Sequence, residues 1–199
     1  MKCTASIEKL SKNEPLRIVA FGDSLTQGWM TRKGYVDFLH DMLVERYHNN
    51  IEMINRGIPG NTSDDGLERL RRDVLDRAPD LVLLQFALND AYMGSSPGRL
   101  KKNLKSMIVR IRLDTTAEIL LLTSSSIYNQ TEDKVADTFY DAITSLAEEE
   151  KLPVAEVHSY WKRKISQGID HGMLVQGDMV HPTVEGYRLM AEAVMEKFV

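Results

Sequence analysis

The stretch that decides the fold is LRIVAFGDSL, residues 16–25. Its first six residues are almost continuously apolar, which is typical of a strand covered on both faces, as in a parallel sheet. Gly22 then permits a tight turn, and Ser24 follows at the carboxyl end of the predicted strand. Open α/β sheets place their reactive groups at this end of the strands. The stretch therefore predicts a parallel α/β fold with Ser24 at its functional edge.

Four further apolar runs rich in branched residues resemble the first, at 51–54, 81–86, 119–122 and 154–157. Helical patterns with apolar residues at intervals of three and four lie between them. This alternation predicts one domain over residues 1–199, a three-layer α/β/α sandwich in which helices cover both faces of a flavodoxin-like, five-stranded parallel sheet. Residues 1–14 mix charged and small side chains, so we expect a loosely ordered N-terminal extension there.

The composition excludes several classes of protein. The net charge of −4, from 25 basic and 29 acidic residues, provides no basic patch for nucleic acid. No apolar run approaches the roughly 20 residues that span a bilayer, and the amino terminus lacks the apolar core of a secretory signal. We therefore expect a soluble, cytoplasmic protein without a membrane span. Cys3 is the only cysteine, which excludes an intrachain disulfide, and a monomer and an oligomer are equally consistent with the sequence.

An acid and an imidazole, Asp178 and His181, come just before the last helical pattern. A serine hydroxyl attacks an ester carbonyl well only if a neighbouring base accepts its proton, and a carboxylate can hold that base in the right tautomer. The spacing of three residues lets Asp178 reach Nδ1 of His181 while Nε2 faces Ser24. The sequence therefore predicts a catalytic triad, provided that the fold brings the last loop beside the first strand.

Two loops between these motifs offer donors for a developing oxyanion. Residues 56–62 (RGIPGNT) follow the second predicted strand, and Gly60 has no side chain to obstruct a substrate oxygen. A helix should begin after this loop near Thr62 or Ser63, where a hydroxyl can cap free amides. Residues 87–90 (ALND) follow the third predicted strand, and Asn89 can donate its side-chain amide to the same oxygen. Each segment alone is equally typical of an ordinary turn.

Taken together, four segments appear in the order that the SGNH (GDSL) hydrolase family shows. Residues 22–25 resemble its first block, 57–62 its glycine block, 88–90 its asparagine block and 178–182 its terminal Asp-x-x-His block. The resemblance implies that Ser24 is the nucleophile, that His181 is the base and that Asp178 orients it. It further implies an oxyanion hole made by the Ser24 and Gly60 amides and the Asn89 side chain.

One residue departs from the family pattern. The asparagine block usually opens with glycine, whereas this chain has Ala87. A positive φ at that position would be strained for alanine, so the orientation of Asn89 depends on the local backbone.

Other hydrolytic sites lack their motifs in this chain. The Gly-x-Ser-x-Gly elbow of α/β-hydrolases is absent, and so is the Gly-x-x-x-x-Gly-Lys loop of nucleotide hydrolases. The five histidines show no paired metal-ligand spacing. We therefore expect chemistry without a metal or organic cofactor.

The sequence predicts a serine esterase that hydrolyses carboxylic esters through a covalent acyl-enzyme. Short loops favour short acyl groups, such as acetyl, on carbohydrates or simple alcohols. Candidate substrate-binding residues come from the loops that follow the strands: Asp23, Trp29, Tyr92, Tyr128 and Met179. Alternatives are a lysophospholipase or thioesterase-type acylhydrolase, an acyl transferase with the same triad, and a catalytically silent α/β binding protein.

Overall fold

In the computed structural model, which describes residues 1–199, five parallel strands form one sheet. Their bounds are β1 Leu16–Gly22, β2 Ile51–Gly57, β3 Leu81–Gln85, β4 Glu118–Leu122 and β5 Val154–Ala155. The order β2-β1-β3-β4-β5 is that of the flavodoxin-like sheet, which confirms the predicted topology. The central strand β3 is buried along its whole length, as a strand covered on both faces must be.

Nine α-helices surround the sheet. Their bounds are α1 Thr4–Ser11, α2 Ser24–Gln27, α3 Tyr35–Tyr47, α4 Ser63–Asp73, α5 Leu88–Tyr92, α6 Pro97–Asp114, α7 Gln130–Glu150, α8 Val157–Ser166 and α9 Val184–Met195. Helix α9 packs against α3 and α8, while α6 packs against α4 and α7, so helices cover both faces of the sheet. None of them combines the length and the apolar character that a transmembrane segment requires.

The start of α4 confirms the predicted helix boundary. Thr62 is the N-cap, and its side chain accepts a hydrogen bond from the amide of Asp65. The Asp65 carboxylate in turn accepts the Thr62 amide at 2.8 Å, which completes a capping box. This reciprocal pair ends the loop that carries Gly60 and fixes the direction in which α4 leaves it.

The amino terminus differs from the expected loose extension. Residues 4–11 form α1, and Cys3 and Leu10 are buried on one side of it. The amide and hydroxyl of Ser6 donate to the Glu118 carboxylate at 3.0 and 2.8 Å. The Cys3 amide donates to the carbonyl oxygen of Lys197 at 2.9 Å. The buried residues Cys3, Ser6 and Leu10 recur at helical spacing. There are too few of them, among the charged residues between them, to indicate a helix in the sequence.

Candidate active site

The turn after β1 brings Ser24 to the carboxyl edge of the sheet. Asp23 is the N-cap of α2, and its carboxylate accepts the amide of Leu25 at 2.9 Å, so the next helix begins at Ser24 itself. Gly22 lies so close to β3 that an added Cβ would come within 2.4 Å of the Gln85 carbonyl oxygen. Close strand packing and an immediate cap therefore place the serine at the start of α2.

Ser24, His181 and Asp178 form one continuous chain of hydrogen bonds. The Ser24 hydroxyl lies 2.9 Å from Nε2 of His181, and Nδ1 of His181 lies 2.6 Å from Oδ2 of Asp178. Oδ1 of Asp178 accepts the amides of Val180 and His181 at 3.0 and 2.9 Å. Desolvation opposes ionisation of Asp178, but these hydrogen bonds outweigh it and lower the pKa of the carboxyl. An ionised Asp178 holds the proton on Nδ1 and leaves the Nε2 lone pair facing the serine.

The loop that carries His181 is fixed on both sides. Gln176 donates its side-chain amide to the carbonyl oxygens of Trp29 and Pro182, at 2.9 and 2.8 Å, which ties this loop to the segment after α2. The amide of Tyr128 donates to the carbonyl oxygen of Met179 at 3.0 Å, which ties the loop to the segment after β4. Gln176 was not singled out in the sequence, because a lone glutamine has no distinctive spacing.

The three predicted oxyanion donors lie on loops at the same edge. The main-chain amides of Ser24 and Gly60 donate to no acceptor within the protein. Gly60 has φ of +79°, and a Cβ added there would meet nothing within 4 Å, so the loop is open to an approaching ligand. The Asn89 side-chain amide donates to the carbonyl oxygen of Asn61 at 2.9 Å. Since an amide nitrogen carries two hydrogens, one anchors Asn89 and the other remains available.

The alanine that departs from the family pattern does not adopt a left-handed backbone. Ala87 has φ of 169°, which lies outside the positive-φ region that favours glycine, and its side chain is buried. The concern that a positive φ would disturb Asn89 therefore does not apply. The bond from Asn89 to Asn61 fixes the amide instead.

A buried carboxyl joins the asparagine and glycine loops. Asp90 accepts the amide of Ser63 at 3.0 Å and its hydroxyl at 2.5 Å, and Asn103 donates to the same hydroxyl at 2.9 Å. Burial raises the pKa of Asp90, an effect that the bonds from Ser63 partly offset. Asp90 thereby fixes the start of α4 relative to α5, and so fixes the loop of Gly60 relative to Asn89.

This geometry agrees with comparisons to known proteins. Residues 20–189 match the sequence profile of the GDSL-like lipase/acylhydrolase family. The chain belongs to this family. An arylesterase of Vibrio mimicus is 28% identical over 185 residues, which span 92% of this chain and 88% of the relative. An acetylxylan esterase of Geobacillus stearothermophilus is 23% identical over 214 residues, covering 95% of each chain.

Solved structures show the same fold. The crystal structure of Axe2, an acetylxylan esterase from Geobacillus stearothermophilus, superposes with a TM-score of 0.82 at 22% identity, covering 92% of this chain and 94% of that one. The resemblance found in the sequence and the predicted fold class are thus confirmed. This GDSL-like hydrolase is a carboxylic ester hydrolase, and its substrates are small-molecule esters.

Four of the five candidate substrate-binding residues of the GDSL-like hydrolase are accessible. Each exposes between a third and a half of its surface: Trp29, Tyr128 and Met179 lie outside the helices and strands, and Tyr92 is the last residue of α5. The ring of Trp29 lies 5.9 Å from that of His181. Trp29 thus lies beside the predicted base, and the other three side chains remain candidates for contact with a substrate.

Asp23 differs from that expectation, because it is fully buried. Its carboxyl accepts the Leu25 amide and, at 3.3 Å, the side-chain amide of Gln85. Burial raises the pKa of Asp23 to about 7. An N-cap side chain turns back towards the helix that it caps. Asp23 therefore fixes the start of α2, where Ser24 lies, and does not touch the substrate.

The GDSL-like hydrolase contains a second acid–imidazole pair, which sequence reasoning missed. Nε2 of His158 lies 3.0 Å from Oδ1 of Asp133, and Nδ1 lies 3.1 Å from Oδ1 of Asp137. The same Asp133 oxygen accepts the hydroxyl of Ser126 and the amide of Ile127, at 2.9 and 2.8 Å. The pair therefore fixes the segment between β4 and α7, next to the residue that binds the catalytic loop.

Proposed function

We propose that this chain hydrolyses short-chain carboxylic esters through a covalent acyl-enzyme on Ser24. The observation that carries the proposal is the unbroken path from the Ser24 hydroxyl through His181 to Asp178, with contacts of 2.9 and 2.6 Å. A base held on one side by a carboxylate and facing a hydroxyl on the other is the arrangement that activates a serine.

Acylation begins when Ser24 Oγ attacks the ester carbonyl carbon while its proton passes to Nε2 of His181. The resulting oxyanion is stabilised by the amides of Ser24 and Gly60 and by the free N–H of Asn89. The tetrahedral intermediate collapses, His181 returns the proton to the departing alcohol, and the acyl group remains on Ser24. Asp178 stabilises the transient imidazolium without taking the proton.

Deacylation repeats these steps with water. His181 accepts a proton from water as its oxygen attacks the acyl carbon, and the same three donors stabilise the second oxyanion. When the intermediate collapses, His181 returns that proton to Ser24 Oγ and the carboxylic acid departs.

A small, mainly apolar cavity lies between α5 and α7, and Leu88, the neighbour of Asn89 in the chain, is one of its lining residues. It has a volume of about 130 Å³ and is lined mainly by apolar side chains of α5, α7 and the segment before α7, namely Leu88, Ala91, Ile127, Val135 and Ala136. A cavity of this size accommodates a chain of a few carbon atoms. The relatives that are named as an arylesterase and an acetylxylan esterase support acetyl esters of carbohydrates or simple alcohols as substrates.

A panel of p-nitrophenyl esters from acetyl to dodecanoyl tests the proposal. We expect kcat/KM to be highest for acetyl or butyryl and to fall with longer chains. Fluorophosphonate treatment followed by mass spectrometry should place the adduct on Ser24, and Ser24→Ala should abolish it. The variant Ser166→Ala, at an exposed serine of α8, is the matched control and should label normally. Preference for long chains would support a lysophospholipase instead, and labelling at another residue would refute the assignment of the nucleophile.

A further inference from the structure

A buried guanidinium, that of Arg69 in α4, lies beneath the loops of the candidate active site. Arg69 is only 9% exposed. Its Nη2 donates to the carbonyl oxygen of Gly22 at 2.7 Å, its Nη1 to that of Arg56 at 2.9 Å, and its Nε to the Asn61 side chain at 2.7 Å. One side chain thus binds the end of β1, the end of β2 and the loop that follows β2.

Two of these three contacts lie close to a proposed oxyanion donor in the chain. Gly22 is two residues before Ser24, and Asn61 directly follows Gly60. The carbonyl oxygen of Asn61 accepts the side-chain amide of Asn89 at 2.9 Å. Arg69 therefore binds the segments of Ser24 and Gly60 directly, and it is linked to Asn89 through Asn61.

Only arginine suits this position. Its planar group presents five N–H donors in a fixed fork, whereas a lysine ammonium is a single point charge and cannot reach three separated acceptors in the same way. The positive charge is compensated separately, because Nη1 also lies 3.1 Å from the Asp73 carboxylate and the guanidinium lies 4.3 Å from the centre of the Phe21 ring. If Arg69 served only to pair with Asp73, it would not need its hydrogen bonds to Gly22, Arg56 and Asn61.

We propose that Arg69 is a positioning residue for the oxyanion hole: it sets the relative placement of Ser24, Gly60 and Asn89 without touching the substrate. This inference rests on the proposed function, because it takes these three residues as the donors. Preorganised donors stabilise the transition state without having to move during the reaction. Weakening the hydrogen bonds of Arg69 to these segments should therefore slow the chemical step more than it weakens substrate binding.

The test compares Arg69→Lys with Arg72→Lys on p-nitrophenyl acetate. Arg69→Lys keeps the charge beside Asp73 but loses the fork, and we expect kcat to fall about 10- to 100-fold with KM within about threefold of wild type. Arg72 is a matched control: it bonds the same Asp73 carboxylate from the same helix but is exposed and contacts none of the loops. Arg72→Lys should keep the wild-type kcat.

A boronic acid inhibitor distinguishes positioning from a general loss of structure, because it forms a tetrahedral adduct on a catalytic serine. In Arg69→Lys, its inhibition constant should rise by about the same factor by which kcat/KM falls. A lower melting temperature with unchanged kcat and unchanged inhibition would overturn the inference and leave Arg69 with a structural role alone.

If Arg69→Lys does not fold, Asn61→Ala tests the same inference. This variant removes only the side-chain oxygen that accepts the hydrogen bond from Arg69 Nε. We expect a smaller fall in kcat, again with little change in KM, and a wild-type kcat in this variant would overturn the inference. A wild-type protein that hydrolyses no ester would refute the proposed function, whereas active wild type with equally active variants would refute only the role of Arg69.

Discussion

Two sets of serine, histidine and aspartate occur in this molecule, and only one is arranged for catalysis. In Ser24–His181–Asp178 the imidazole lies between hydroxyl and carboxylate, whereas in Ser126–Asp133–His158 the carboxylate lies between hydroxyl and imidazole.

The two histidines also differ in what surrounds them. The side chains of His181 and Asp178 are 22% and 45% exposed, while those of His158 and Asp133 are 4% and 10% exposed. Both ring nitrogens of His158 lie within hydrogen-bond distance of carboxylate oxygens, so neither nitrogen faces a hydroxyl. An acid beside a histidine is therefore insufficient for catalysis; the other nitrogen must be free and must face the nucleophile.

The largest difference between the two sets should appear when each histidine is replaced. We expect His181→Ala to lower kcat/KM by about 10⁴-fold or more, because the serine loses its base. His158→Gln should stay within about threefold of wild type in kcat/KM. Its cost should be to folding instead, about 3 kcal/mol in the free energy of unfolding, since it leaves the buried Asp133 carboxylate without its imidazole partner. Hydrolysis of p-nitrophenyl acetate and urea unfolding measure both effects, and a severe loss of activity in stable His158→Gln would remove the distinction.

Replacing an acid beside each histidine should give the next largest effect. Asp178→Asn is expected to lower kcat about 10³-fold, because an asparagine can donate to Nδ1 and so favour the wrong tautomer of His181. Asp137→Asn, at the half-exposed partner of His158, is the matched control and should retain kcat. Comparable kcat values for Asp178→Asn and wild type would show that Asp178 does not orient the base.

The smallest effect concerns stability in acid. Burial alone would raise the pKa of Asp133, but hydrogen bonds from His158 and the Ile127 amide, together with the charge of His158, lower it to about 2. Because the folded state favours the carboxylate, Asp133 stabilises the fold above about pH 4, and about 2 kcal/mol of this stabilisation is lost as the pH falls towards 2. Urea unfolding between pH 2 and 6 should show a shallower pH dependence for Asp133→Asn. If the free energy of unfolding fell equally with pH in the variant and in wild type, this prediction would be wrong.

The sequence was sufficient for the sheet and for the candidate triad. Both depend on local patterns: apolar runs mark the strands, and the Asp-x-x-His spacing lets Asp178 reach His181 within one loop. Asp23 shows where a local pattern misleads, because it adjoins the serine in the chain but its side chain caps α2 and is buried.

The supporting residues could not be predicted, because their partners are distant in the chain. The Gln176 side chain binds Trp29 across 147 positions, and Arg69 binds Gly22 across 47. Such contacts exist only after the strands are ordered, and arginine or glutamine on a helix or loop is otherwise typical of a solvated surface. The same reason explains α1, whose buried side depends on contacts with β4 and the carboxyl-terminal segment.

The bond between the Cys3 amide and the Lys197 carbonyl oxygen has a practical consequence. It brings residues 3 and 197 together, while Glu118, the first residue of β4, binds α1 at the amino end of the sheet. Residues 3 and 197 therefore both lie away from the loops that carry Ser24 and His181. Attaching the protein to a solid support through the segment beside either residue would leave the catalytic edge facing the solution.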